Sequence, residues 1–353
     1  MLRGPAPRAA LGAAISLVAI VLVLRGVDLQ ATADILRSAD PRWIAVGFAF
    51  VIADLGMRGL RWQRLVRPIQ AVRYLHMLGY LLVGYLMNNI LPARLGELVR
   101  SHYLGDREGI SRTSALGTVV VERVVDLVVC VAIASVSLLV LNVRGVVSSA
   151  VLVGAAVAGL FVVVLVIGMV AHRLPGADRL RSLLERWPRI RDLGRRLQDG
   201  FAVAGRPRTL VEAFACSAVS WSCAILAMAA VGQSIALQLS IGQAALIASG
   251  VALAAAVPAG PSNLGTFEFA AVAVGQAIGI PREQSFALAL IVHVAILVTT
   301  SVGGGISLVI LNWRRTASSA DAPPAENAAS TEDPAEGRPV APDPIDGRQS
   351  PLV

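Results

Sequence analysis

Long apolar runs alternate with short polar loops along this chain, and the lengths of the runs define its elements. Runs at residues 9–24, 43–57, 113–141, 146–171, 213–232 and 284–311 read as membrane-crossing helices. A helix needs about 20 apolar residues to cross the hydrocarbon core, and the shorter runs gain length from their flanks. Two other regions break that pattern. The run at 74–91 ends in Asn88 and Asn89 and reaches Pro92, after which Arg94, Glu97 and Arg100 follow within a few residues. The next apolar stretch, 95–104, has about half the spanning length. Late in the chain, 242–257 and 267–280 are also short, and they flank a second break at 258–268 that holds Asn263 and Glu268. Irregular backbone at membrane depth is tolerated only where it is buried in protein or lines a cavity. Both broken regions are therefore read as re-entrant hairpins whose tips meet at the working site.

The expected fold class is an all-α polytopic membrane protein with about six spanning helices plus two re-entrant helical hairpins in an inverted repeat. The inverted repeat follows from loop charge. Residues 58–73 carry Arg58, Arg61, Arg64, Arg67 and Arg73 with no acid among them, which marks a cytoplasmic loop. Placing 58–73, 105–112, 172–212 and 314–315 inside closes the topology with both termini cytoplasmic. The triplet 43–57, 74–104, 113–141 then runs opposite to the triplet 213–232, 242–280, 284–311. Paired broken segments in two such halves point to a site near the midplane. The expected domain layout is a transmembrane domain over 1–315, with 172–212 as a cytoplasmic Arg-rich loop, and a disordered cytoplasmic tail over 316–353.

Composition sharpens the class. Apolar residues make up 56% of the 353 residues and charged ones 15%, too few charges for an ordinary soluble domain. All 31 basic residues are arginine, and the net charge is +8. Those arginines lie mostly between spans, where orientation and anionic headgroups account for them, so nucleic acid is not an expected partner. Arg58, Arg61 and Arg64 recur at helical spacing and suggest a basic stripe facing headgroups, with Asp54 and Arg58 forming an i, i+4 pair. Cys130, Cys216 and Cys223 fall in apolar helices and read as small buried hydrophobes. Motifs for a zinc protease, a P-loop or a nucleophile elbow are absent, so no cofactor or metal is expected and enzyme activity is not the favoured reading.

The chemistry concentrates in the breaks and in one span. Polar and ionisable groups at membrane depth are costly and mark function. Arg94 and Arg100 can fork onto phosphate or carboxylate oxygens, while Glu97 fixes an arginine or meets a cationic headgroup. The same residues would also serve as an ion-pair network that closes the hairpin. Asn88 and Asn89 would bind headgroup hydroxyls or cap the opened backbone. Glu122, Arg123 and Asp126 are expected to pair with the hairpin, because an unpaired buried charge is costly. Glu268 mirrors Glu97. His293 reads as a satisfied core histidine, and Gly303–Gly305 as a close helix contact.

The stretch Asn88 to Arg100, the segment Glu122-Arg123-x-x-Asp126, and the later Asn263-Leu264-Gly265-x-x-Glu268 together resemble the transmembrane domain of lysylphosphatidylglycerol synthase and its flippase-like relatives. The resemblance covers about residues 10–315, without the soluble aminoacyltransferase domain of the full synthase. Where that family usually has a Pro-Gly-Gly-Leu-Gly type run, this chain reads Pro261-Ser262-Asn263. The resemblance implies lipid handling: a translocator in a bacterial inner membrane that moves a phospholipid or a lipid-linked glycan between leaflets. The headgroup site would comprise Asn88, Asn89, Arg94, Glu97, Arg100, Glu122, Arg123, Asp126, Asn263 and Glu268. The alternatives are an intramembrane transferase acting on a lipid-linked sugar, and a non-transporting scaffold for a separate glycosyltransferase or lipid synthase. The expected partners are an anionic phospholipid or polyprenyl-linked glycan, and such a synthase or glycosyltransferase.

Overall fold

The computed structural model describes residues 5–91, 95–170, 203–255 and 260–320. Arg94, most of the loop 172–212, residues 256–259 of the second break and the tail beyond Ala320 lie outside the described residues. Among those described, the chain is all helical, with no strand. Its α-helices are α1 (Pro5–Leu24), α2 (Leu29–Arg37), α3 (Pro41–Val66), α4 (Tyr74–Ile90), α5 (Gly96–Glu108), α6 (Arg112–Leu141), α7 (Val146–Val170), α8 (Pro207–Ser234), α9 (Ile241–Ala254), α10 (Thr266–Ala277) and α11 (Arg282–Ala320). Met1–Asn312 packs as one unit, and Trp313–Val353 is a second, described only as the last turns of α11.

Among the described residues, five helices are long and apolar enough to cross a membrane: α3, α6, α7, α8 and α11. A sixth span results if α1 and α2, bent by 86° at residues 25–28, count as one broken crossing. The stretch after α1, read as a plain loop, holds α2 because Asp28 caps it, its carboxylate accepting from the Gln30 and Ala31 N–H groups. The outer surface is apolar, with Leu139 80%, Val146 86% and Val309 68% exposed. In water such a surface would be an aggregation liability; in lipid it is the expected boundary.

The short helices form two packed pairs. α4 and α5 have 17 and 13 residues, α9 and α10 have 14 and 12. At 1.5 Å per residue none of these reaches about 30 Å, the thickness of the hydrocarbon core. α4 and α5 run antiparallel: Asn88 meets Gly96 at the break, while Tyr80 Oη donates to Glu108 Oε1 at 2.8 Å at the far end. α9 contacts α10 through Gly250 and Val274. Gly304 of α11 lies against the Leu82 backbone of α4, so the glycine run is a close helix contact as its composition suggested.

α3 corrects the sequence reading most. It continues past residue 57 to Val66 and packs along α8 over an extensive contact. Arg58, Arg61 and Arg64 do share a face, but that face points inward. Arg61 is fully buried and Arg58 is only 17% exposed at its side chain. A basic stripe facing headgroups is therefore overturned at Arg58 and Arg61. The reason is that acids on α6 and hydroxyls on α8 offer these guanidinium groups partners that lipid lacks.

Candidate functional site

The inward face of α3 starts a chain of ion pairs. Arg61 Nη1 donates to Asp126 Oδ1 and to Ser217 Oγ, each at 2.7 Å, while Nη2 donates to Glu122 Oε1 at 3.0 Å. Asp126 Oδ1 also accepts from Trp221 Nε1 at 3.1 Å. Arg58 Nε holds both Asp54 carboxylate oxygens at 2.9 Å, and its Nη1 lies 3.6 Å from Asp126 Oδ2. Ser220 Oγ donates to Asp54 as well. Arg100 Nη1 approaches Glu122 Oε2 at 3.0 Å, out of line for a hydrogen bond, and its guanidinium lies 4.7 Å from the centroid of the Trp62 ring. That stacking suits a weakly hydrated cation in a dry interior. Arg123 joins the cluster through Glu122 at 3.2 Å and Glu97 at 3.6 Å.

Removing two charges from water costs several kcal/mol per ion, which only close pairing offsets. Here Arg58, Arg61, Arg100 and Arg123 stand against Asp54, Glu97, Glu122 and Asp126, four against four. The pairing expected between Glu122 and the first hairpin is present through Arg100. Arg123, also expected to pair with that hairpin, reaches Glu97 of α5, while Asp126 pairs with α3 instead. Arg100, Glu122 and Asp126 are buried in this framework and are not among the residues that line the cavity beside it.

Beside the network lies a cavity of about 280 Å³. Its polar wall comprises Asp54, Arg58, Tyr85, Asn88, Asn89, Glu97 and Arg123 from the first half of the chain. Ser262, Asn263 and His293 come from the second half. Val51, Met228, Val251 and Ile296 are among its apolar lining side chains. Tyr85 is one of the lining residues, and its Oη is buried without a hydrogen-bond partner among the described residues. Of the residues singled out from sequence, Asn88, Asn89, Glu97, Arg123 and Asn263 line the cavity. Asp54, Arg58 and Tyr85 were not on that site list. The inward side of α3 was the missing information, since Asp54 and Arg58 satisfy each other in sequence.

The two breaks meet at the cavity. Ser262 Oγ donates to the Asn89 carbonyl at 3.2 Å. Asn88 Oδ1 accepts from the Gly96 N–H at 2.8 Å, capping the start of α5, and Asn89 Nδ2 donates to Thr300 and Ser301 of α11 at 2.9 and 3.0 Å. In the second break Ser262 and Asn263 adopt left-handed backbone with φ of 58° and 57°. Glu268 is buried: Oε2 accepts from the Gly265 N–H at 2.7 Å, and Oε1 lies 2.6 Å from His293 Nδ1. His293 Nε2 sits 3.0 Å from the Ser262 carbonyl, and Phe267 stacks on the imidazole at 4.4 Å. His293 is thus a satisfied histidine, as expected, yet it also faces the cavity.

Comparison with known proteins agrees with this architecture. The chain is 31% identical over 115 residues to an archaeal "UPF0104 membrane protein" from Methanothermobacter thermautotrophicus, covering 32% of this chain and 33% of that protein. It is 28% identical over 115 residues to a like-named protein of Methanocaldococcus jannaschii, covering 32% and 34%. It is 27% identical over 135 residues to the "Glycosyltransferase AglD" of Haloferax volcanii, covering 38% of this chain and 22% of that one. The matches therefore span about a third or less of each relative's own length. The family described as "Lysylphosphatidylglycerol synthase TM region" matches residues 9–304, nearly the whole helical bundle. With its broken helix pairs, inward arginines and that match, this chain belongs to the lysylphosphatidylglycerol synthase transmembrane-region family.

Proposed function

We propose that the chain is a lipid translocator whose cavity carries a polar headgroup past the two breaks while the lipid chains stay in the bilayer. The observation that supports this most is the cavity itself: a polar, charge-lined space inside a bundle whose outer surface is apolar. Guanidinium, amide and hydroxyl groups line it together with apolar side chains, a mixture that suits a headgroup joined to the glycerol or prenyl end of a lipid. In this reading α4–α5 and α9–α10 are re-entrant hairpins of an inverted repeat, opening to opposite sides of a bacterial inner membrane with both termini cytoplasmic. The headgroup contacts fall to Asn88, Asn89, Glu97, Arg123 and Asn263, joined by Arg58 and Tyr85. The relative named a glycosyltransferase supports a lipid-linked glycan as cargo over a simple phospholipid.

The test is reconstitution into sealed proteoliposomes with headgroup-labelled lipid, read by quenching from outside. Arg123→Ala is expected to slow lipid movement about tenfold, since loss of a charge-assisted hydrogen bond costs roughly 1.5–3 kcal/mol. Glu97→Gln should slow it less, because the amide keeps one acceptor for Arg123. Equal rates in wild type, Arg123→Ala and protein-free vesicles would remove translocation from consideration. A transferase acting on a lipid-linked sugar, by contrast, would turn over in detergent, where no leaflets exist.

A further inference from the structure

We infer that Glu268 and His293 form a proton-binding site, and that the bound proton holds the two breaks together. A count of hydrogens carries the inference. His293 Nε2 faces the Ser262 carbonyl at 3.0 Å; a carbonyl only accepts, so Nε2 carries a hydrogen. Nδ1 and Glu268 Oε1 are 2.6 Å apart, which requires a hydrogen between them. The other carboxyl oxygen, Oε2, already accepts from the Gly265 N–H at 2.7 Å and so is not where the acid hydrogen sits. The pair therefore holds two hydrogens, whether as imidazolium with carboxylate or as imidazole with carboxylic acid.

Removing one proton leaves two lone pairs in opposition. They face each other either between Nδ1 and Oε1 or between Nε2 and the Ser262 carbonyl, and one contact must open. In the second case Ser262 loses its anchor. It is a non-glycine residue at φ 58°, a backbone state that persists where its surroundings enforce it. Its hydroxyl is also the direct link to Asn89 of the first break. Loss of the proton thus loosens the second break and its link to α4 at the same place.

The surroundings isolate the pair. Phe267 covers the imidazole, α1 contributes Ser16 to Gly260 N–H, and α9 and the described α7 have no acidic or basic residue. The titratable groups sharing the cavity with His293 are Asp54 and Arg58 of α3, Tyr85 of α4, Glu97 of α5 and Arg123 of α6. Among the described residues none of these forms an ion pair with Glu268 or His293; the four charged ones are paired within their own network. Among the described residues, the proton is thus the neutralising partner available to the pair.

Spin labels at Ile90→Cys and Leu264→Cys, exposed positions beside the two breaks, provide the readout in nanodiscs, with Cys130, Cys216 and Cys223 removed. The expected result is one narrow distance distribution at low pH and a broader, longer one as pH rises from about 5 to 9. The imidazole ¹⁵N shifts of His293 should titrate in step. Glu268→Gln should keep the narrow distribution at every pH, because its amide donates to Nδ1 while its carbonyl accepts from Gly265. A distance that ignores pH in wild type, or a transition retained in Glu268→Gln, overturns the inference. Should Glu268→Gln fail to fold, the wild-type shifts and distances still decide it: titration of one without the other overturns it. Use of the proton in lipid movement rests on the translocator reading; the distance measurement does not. A chain that titrates and moves no lipid keeps the proton site and loses only that reading.

Discussion

Arg61→Ala should destabilise the bundle by about 3–5 kcal/mol, the range for breaking a buried ion pair from one side. Arg61 is fully buried, and its three close contacts tie α3 to α6 and α8. Alanine leaves Asp126 with the more distant Arg58 at 3.6 Å and Trp221, and leaves Glu122 with Arg100 and Arg123. Adding Asp126→Asn should recover part of the loss, since the orphaned carboxylate is then neutral; the two changes share a network and cannot be additive. Unfolding by denaturing detergent in mixed micelles measures both. A loss below about 1 kcal/mol for Arg61→Ala would mean that the arginine is a passenger of the fold.

Gly96→Val should separate α4 from α5 and close the cavity. A Cβ on Gly96 would fall on the Gly84 carbonyl oxygen, and on the Asn88 side chain at 2.7 Å. Backbone meets backbone here, so no rotamer change relieves the clash. Gly84 has the reciprocal constraint, its Cβ position lying 2.9 Å from the Gly96 carbonyl. Overpacking typically costs about 1–3 kcal/mol. The larger consequence is positional, because the Gly96 N–H loses Asn88 Oδ1 and Glu97 moves away from Arg123. The expected result is a folded protein with lower thermal stability and, on the translocator reading, lipid movement at least about tenfold slower, the effect of a misplaced binding group. Gly305→Ala is the matching control, since nothing lies within 4 Å of that Cβ position. If both substitutions behave alike, close approach of α4 and α5 is not what shapes the cavity.

The span lengths were legible because lipid imposes them: a crossing helix must present an apolar exterior over a set length, and that pattern is local. The breaks were legible for the same reason, as polar groups and proline stand out in an apolar run. That the breaks would touch followed from their shared placement, and the Ser262–Asn89 contact shows them touching. The facing of α3 was not legible. Arg58, Arg61 and Arg64 share one side at helical spacing, but spacing does not say whether that side meets headgroups or acids on α6. Only tertiary packing decides, through Glu122 and Asp126 more than 60 positions away. α2 was not legible because it has only nine residues and lies between apolar runs, where its Asp28 cap is one of several charged residues. Glu268 and His293 were each noticed, but as separate residues 25 positions apart. Nothing local joins them, since the connection runs through the turn from α10 to α11.

The equal count of arginines and acids in the buried network has an electrical consequence. Moving one elementary charge through the full membrane potential involves about 2.3 kcal/mol per 100 mV. A cluster of four guanidinium and four carboxylate groups displaced as a rigid unit carries no net gating charge. When the helices that hold it shift, these eight groups therefore add almost nothing to the electrical work. On the translocator reading, voltage then acts on the charged headgroup or the proton at the second break rather than on this cluster.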